Sequence, residues 1–249
     1  MIHLSRLIVG IRHRRVFRMK NLSGEIVDRL VKIFPDQFTR VSETQPNDES
    51  ILSNSNNTQF IRFNRDDVFF EHIKVFNWEA KNYIEINKKK LVDTAKMALP
   101  VFLECLKLND DFMRIGIIFE FRIPKWESLT DEKLSVFVAE KFINFPTKGE
   151  IGGGFVRLAY KLRAPGVGAI KKLEDFRNVI ITIDESTGIN EAGKEEKCLL
   201  VSADMQHIFK PFQKTIYIDD HYVFATEHLK STILPIFKEK GIDINYEQE

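Results

Sequence analysis

Five short motifs recur in the same order in the first and second halves of this 249-residue chain. Val9-Gly10-Ile11 is matched by Ile115-Gly116-Ile117, and each is followed by a Phe-Arg pair, Phe17-Arg18 and Phe121-Arg122. Then come Phe34-Pro35 and Phe145-Pro146, and after them Phe38-Thr39-Arg40-Val41 and Phe155-Val156-Arg157-Leu158. Tyr83-Ile84-Glu85 and Tyr217-Ile218-Asp219 stand late in each half, and Leu99-Pro100-Val101-Phe102 and Leu234-Pro235-Ile236-Phe237 close the series. An ordered series of this kind implies an internal repeat, which constrains a fold more than any single motif. The expected fold is α+β, a duplicated strand–helix–three-strand–helix unit with antiparallel sheets and helices packed on one face. The first repeat would span 1–110 and the second 111–249, joined as a pseudo-two-fold body.

Period-two patterning supports the strands. Met113, Ile115, Ile117, Phe119, Phe121 and Ile123 are all apolar, while Arg114, Gly116, Glu120 and Arg122 alternate with them; that is the mark of a half-buried strand. Leu7, Val9 and Ile11 repeat the pattern at the start of the chain. Helices are expected after both, one capped by Ser23 and apolar at Ile26, Val27, Leu30 and Phe34, the other starting near Ser128 or Thr130. Each should stop at its Phe-Pro pair, because proline bars the preceding residue from helical geometry. Further strands are expected near 59–64, 68–77, 82–87, 155–163, 176–185 and 197–209. Polar loops would fill 43–58, 148–154, 164–175 and 186–197. Pro100 and Pro235 should kink the closing helices.

The charged side chains, 37 basic and 36 acidic, nearly cancel at +1, so no global field draws the chain to nucleic acid or to acidic membranes. Nucleic-acid binding would need a local patch. The two cysteines, Cys105 and Cys198, supply neither a disulfide framework nor a zinc set. Early charges and the lack of a long apolar run argue against a signal peptide or membrane span, and the expected location is cytoplasmic.

Three regions carry chemistry. Arg12, Arg14, Arg15 and Arg18 form the densest basic cluster and are candidates to bind phosphate, with His13 among them as a candidate general acid–base. The same charges could instead guard an edge strand. Gly152, Gly153 and Gly154 form the glycine-rich loop, which lacks a P-loop ending and leads into a strand, so a backbone that closes over a partner is its functional reading. Asp220, His221 and His228 are the best-placed potential metal ligands, but residues seven apart on a helix lie about 10 Å apart, too far to share one ion. No cofactor is expected, nor is any nucleophile elbow or zinc-protease motif present.

The chain resembles a sporadically distributed prokaryotic family of uncharacterised two-lobed proteins of about this length. The resemblance rests on Arg114-Ile115-Gly116, the preceding helix with Phe102, the strand Ile181-Thr182-Ile183-Asp184, and a closing helix with His228 and Phe237. It implies no activity, although a sporadic distribution fits a mobile-element or antiviral defence role. The expectation is a non-catalytic binding module with a protein partner or homodimer. The alternative is an RNA-binding protein or metal-independent endoribonuclease similar to the duplicated ferredoxin-fold proteins of CRISPR systems. There His13 and the glycine loop would take the catalytic and clamping parts.

Overall fold

A computed structural model describes residues 2–44, 49–77, 79–109, 111–124, 142, 155–163, 176–189, 195–213 and 215–246. In it one large sheet holds ten strands, β1 (Ile2–His13), β2 (Arg40–Thr44), β3 (Glu49–Ser53), β4 (Gln59–Phe63), β5 (Asp67–Ile73), β8 (Phe112–Pro124), β9 (Phe155–Arg163), β10 (Phe176–Ile189), β11 (Glu195–Gln213) and β12 (Ile244–Asn245). A separate hairpin pairs β6 (Val75–Asn77) with β7 (Asn82–Ile84). The α-helices among the described residues are α1 (Met19–Ile33), α2 (Lys88–Leu106), α3 (Ile218–His228) and α4 (Leu234–Glu239). The class is α+β, and all described pairs in the sheet are antiparallel except β1 with β12.

The sheet order is β2-β3-β4-β5-β1-β8-β11-β10-β9. The two period-two strands are therefore its central pair, and Gly10 lies directly opposite Gly116. A Cβ at Gly10 would stand 3.2 Å from the Phe69 ring, and one at Gly116 would stand 3.2 Å from Asp204 Oδ1. The missing side chains leave room for those neighbours to lean inward over the centre of the face. Odd-numbered residues of the central pair (Leu7, Val9, Ile11, Ile115, Ile117, Phe119, Phe121) join one apolar core with α2 residues such as Ala95, Leu99 and Phe102. Even-numbered positions put Arg6, Arg12, Arg114 and Glu120 on the other face, as a period of two requires.

Helix α1 starts at Met19, earlier than the expected cap at Ser23; Ser23 instead sits inside the helix and donates to the Lys20 carbonyl at 3.0 Å. The helix stops with Phe34 just before Pro35, as the sequence predicts. The expected loop at 43–58 instead contains the end of β2, all of β3 and a short turn. Buried Leu52 anchors β3, and the asparagines build the turn: Asn54 Oδ1 accepts from Thr58 N at 2.8 Å and Gln59 N at 3.1 Å, while Asn57 adopts φ 51°. The 186–197 loop is likewise shorter than expected, because β10 and β11 stay paired out to Ile189 and Glu195. Residues 82–84 pair in the small hairpin instead of in the main sheet. Pro100 lies inside α2, as expected. Pro235 opens α4 just after a π-turn at Leu229–Ile233, closed by Leu234 N–H to the Leu229 carbonyl. A wider turn gives a proline ring room against the preceding carbonyls. The helix expected from 128 or 130 and the loop at 164–175 lie outside the described residues. None of the described helices is long and apolar enough to cross a membrane.

Candidate functional site

Where β1 ends, the chain is tied down by its backbone. His13 N–H donates to the Asp66 carbonyl at 2.9 Å, Arg14 N–H to Asp111 at 2.8 Å, and Val16 N–H to Arg65 at 2.8 Å. These three bonds fix the 13–18 segment against the β4–β5 turn and the start of β8. A cleft of about 400 Å³ opens there, lined by Arg14, Arg15, Phe17, Arg18, Leu108 and Asp111 among others. Phe17 is 79% exposed at its rim. Helix α1 begins in the same place, with no side-chain cap and no acidic residue in its first turn. The Met19 and Asn21 N–H groups are taken up by the Val16 and Arg18 carbonyls, so it is the helix dipole that favours an anion at this end.

The arginines of the cluster differ in what they contact. Arg12 points to the opposite face of the sheet, where Nε and Nη2 each donate to Asp67 at 2.8 Å. Arg15 donates to Asp66, through Nε at 3.0 Å and Nη2 at 2.7 Å. Arg14 reaches only a long contact of 3.7 Å with Asp111 and is largely exposed. Arg14 and Arg18 are thus the cleft cations least committed to carboxylates. His13 is 1% exposed, and its Nδ1 lies 2.7 Å from the Arg14 carbonyl while Nε2 has no partner. Burial pushes its pKa down, so at neutral pH the ring is neutral and interior.

The other candidates are dispersed. Gly152, Gly153 and Gly154 lie outside the described residues. Asp220 is exposed in the first turn of α3, whereas His221 is buried and its Nε2 donates to the Met205 carbonyl at 3.0 Å. His228 Nε2 lies 2.7 Å from the Tyr160 hydroxyl, and its ring stacks on Phe224. Among the described residues, no three His, Cys, Asp or Glu side chains converge on a point that could hold a metal. Both cysteines are free and buried.

Two polar features of the fold depend on pairings between strands that sequence neighbours do not show. On the sheet face that carries Arg12, Glu71 is clasped by Arg6 at 2.6 Å and Arg62 at 3.0 Å, and Arg6 also reaches Glu120 at 3.3 Å. The second is Asp204, which is hydrogen-bonded by Gln206 and has Ile118 and Ile180 as its cross-strand neighbours. Desolvation raises its pKa. Asp67, in contrast, lies across from Arg12 and is paired with it. No single-sequence signal separates these two aspartates, because what differs is the residue on the neighbouring strand. Asp204→Asn should therefore leave stability at pH 7 unchanged or raised in urea unfolding, since the amide keeps the Gln206 acceptor without a desolvated charge. A clear loss would mean that the ionised carboxylate is held by partners beyond Gln206.

No known protein family matches this chain, and no curated protein does so.

Proposed function

We propose that this chain is a binding module, not a catalyst, and that the cleft at the start of α1 holds the phosphate of a nucleotide, free or at the end of a single-stranded nucleic acid. The observation that carries this reading is one exposed aromatic, Phe17, set between Arg14 and Arg18 at an uncapped helix N-terminus. A helix dipole and arginines suit phosphate oxygens, and a solvent-facing ring suits a base. A cleft of about 400 Å³ is within the size range of small-ligand sites. The endoribonuclease alternative would need His13 at the ligand, and its burial favours binding over cleavage. A role in a prokaryotic defence or mobile-element system, as the family resemblance implies, is part of the same proposal.

We also propose that the chain is two copies of one unit, with the helices on one face of the joined sheet. Support comes from the strand orders read outward from the Gly10–Gly116 pair, β1-β5-β4-β3 on one side, with β2 added at its edge, and β8-β11-β10-β9 on the other. In both halves the strand beside the central one is the last main-sheet strand before the closing helix.

The test is fluorescence anisotropy with short single-stranded RNA, alongside calorimetry with a mononucleotide. Arg14→Glu with Arg18→Glu should weaken binding at least tenfold and flatten its salt dependence. Phe17→Ala should weaken it about fivefold to a hundredfold, the usual worth of one stacked base. Tight binding of the mononucleotide alone assigns the site to a free nucleotide, and tighter binding of the strand assigns it to a nucleic-acid end. If neither binds, or if binding ignores all three substitutions, the reading fails.

A further inference from the structure

The cleft at Phe17 holds one side chain that a phosphate site would not ask for. Its other described lining residues are the arginines Arg14, Arg15 and Arg18 and the apolar Val16, Phe17, Leu106 and Leu108, whereas Asp111 brings a carboxylate. A carboxylate repels an anion. Among the described lining residues it is also the one side chain that can accept a hydrogen bond.

Asp111 is fixed in place through its backbone and its neighbours. Its carbonyl accepts from Arg14 N–H at 2.8 Å, and Phe112 beside it, 1% exposed, starts β8. Its Oδ2 accepts from Asn109 N–H at 2.9 Å. Among the described residues Oδ1 meets Arg14 Nη1, and at 3.7 Å that contact is too long for a hydrogen bond. The side chain is nevertheless only 17% exposed. A carboxylate has about four acceptor sites, and taking it out of water with most of them unused is costly. An asparagine would accept from Asn109 equally well with no charge to desolvate. The cleft thus holds a fixed, largely desolvated acceptor together with the exposed ring of Phe17.

We propose that Asp111 makes this cleft selective for guanine. The selectivity rests on the cleft holding a nucleotide, as proposed above, and adds the base that is recognised. Guanine carries two donors side by side on its Watson–Crick edge, N1–H and the 2-amino group, and these match the two oxygens of a carboxylate. Adenine and cytosine set an amino donor beside a ring-nitrogen acceptor, and uracil sets one N–H between two carbonyls. Each of those would turn a lone pair toward Asp111. The Arg14 side chain is 71% exposed and makes no hydrogen bond to Asp111, so it can swing to the phosphate while Asp111 reads the base edge.

The experiment is calorimetry of the full chain with GMP, IMP, AMP and UMP at pH 7.5 and low ionic strength, alongside anisotropy with short RNA strands ending in G or in A. GMP should bind about tenfold or more tighter than AMP and UMP, the usual worth of a bidentate base contact, with IMP between them because it lacks the 2-amino donor. A strand ending in G should be preferred in the same way. Asp111→Asn, checked for folding by circular dichroism, should erase the preference and leave AMP affinity unchanged or raised. Equal binding of G and A ligands by the parent chain overturns the selectivity without any variant, and so does a preference that survives in Asp111→Asn. Equal weakening of every nucleotide in Asp111→Asn would show that Asp111 only positions Arg14, and it overturns the proposal too. In each of these cases nucleotide binding itself stands. Binding of neither mononucleotides nor strands would remove both.

Discussion

Lowering the pH from 6.5 to 4 should cost the folded state about 5 kcal/mol, a large share of a typical domain's stability. Burial holds both His72 and His221 in the neutral form, each with its pKa lowered to about 4 from an ordinary 6.5. Nearby positive charge adds to the effect, from Lys90 at His72 and from His207 and Arg177 at His221. Between those two pH values the unfolded chain binds more protons than the folded one, so stability rises with pH across that window. It is fully present above 6.5 and is lost as the pH falls toward 4. A gap of that size is worth about 3 kcal/mol per histidine, against a total stability of about 5–15 kcal/mol for a typical domain. His13 and His228 are also shifted downward by burial and act in the same direction, while the raised pKa of Asp204 acts in the opposite one. Urea midpoints at pH 7.5, 6, 5 and 4 measure the slope. His72→Phe should lower it by about half and should match or exceed the parent at pH 7.5. A midpoint that does not move between pH 7.5 and 4.5 would show that neither ring is buried in its neutral form.

Phe102→Ala should destabilise the fold by about 3–5 kcal/mol, the range for a large aromatic deleted from a packed core. The ring is 0% exposed and meets Phe63 edge-on at 5.4 Å and Phe70 at 6.3 Å. It therefore fastens α2 to β4 and β5 together, and each edge-to-face contact adds to the burial itself. Phe17→Ala is the matched control. That ring is solvent-facing, and its loss should leave the urea midpoint unchanged while removing ligand affinity. A cost below about 1.5 kcal/mol at Phe102 would mean that α2 does not close the core over those strands.

The central strands were legible because their information is local. Apolar residues at every second position from Met113 to Ile123 define a strand with one buried face whatever surrounds it. The stop of α1 before Pro35 is equally local, since proline acts on the residue beside it. The 49–53 strand was hidden because one buried leucine, Leu52, anchors a segment whose composition reads as loop. Its hydrogen bonds to β2 and β4 come from partners that composition does not reveal. At the basic cluster, the sequence placed Arg12 to Phe17 in one stretch, where the period-two pattern of β1 breaks. Strand parity and three backbone bonds to distant turns then sent Arg12 to one face, buried His13, and left Arg14 and Phe17 at the cleft.

By itself the sequence determined the α+β class, the period-two strands and the order of the repeated motifs, because each depends on residues within a few positions of one another. Only the tertiary structure decided that the motif glycines Gly10 and Gly116 face each other at the centre of one continuous sheet. It also decided that His72 is buried against the Asn87 backbone at the start of α2, and that Asp204 lies across from Ile118 where Asp67 lies across from Arg12. The physical reason is the same throughout. Burial and charge pairing are set by neighbours distant along the chain, and a side chain's chemistry follows from those neighbours more than from its own identity.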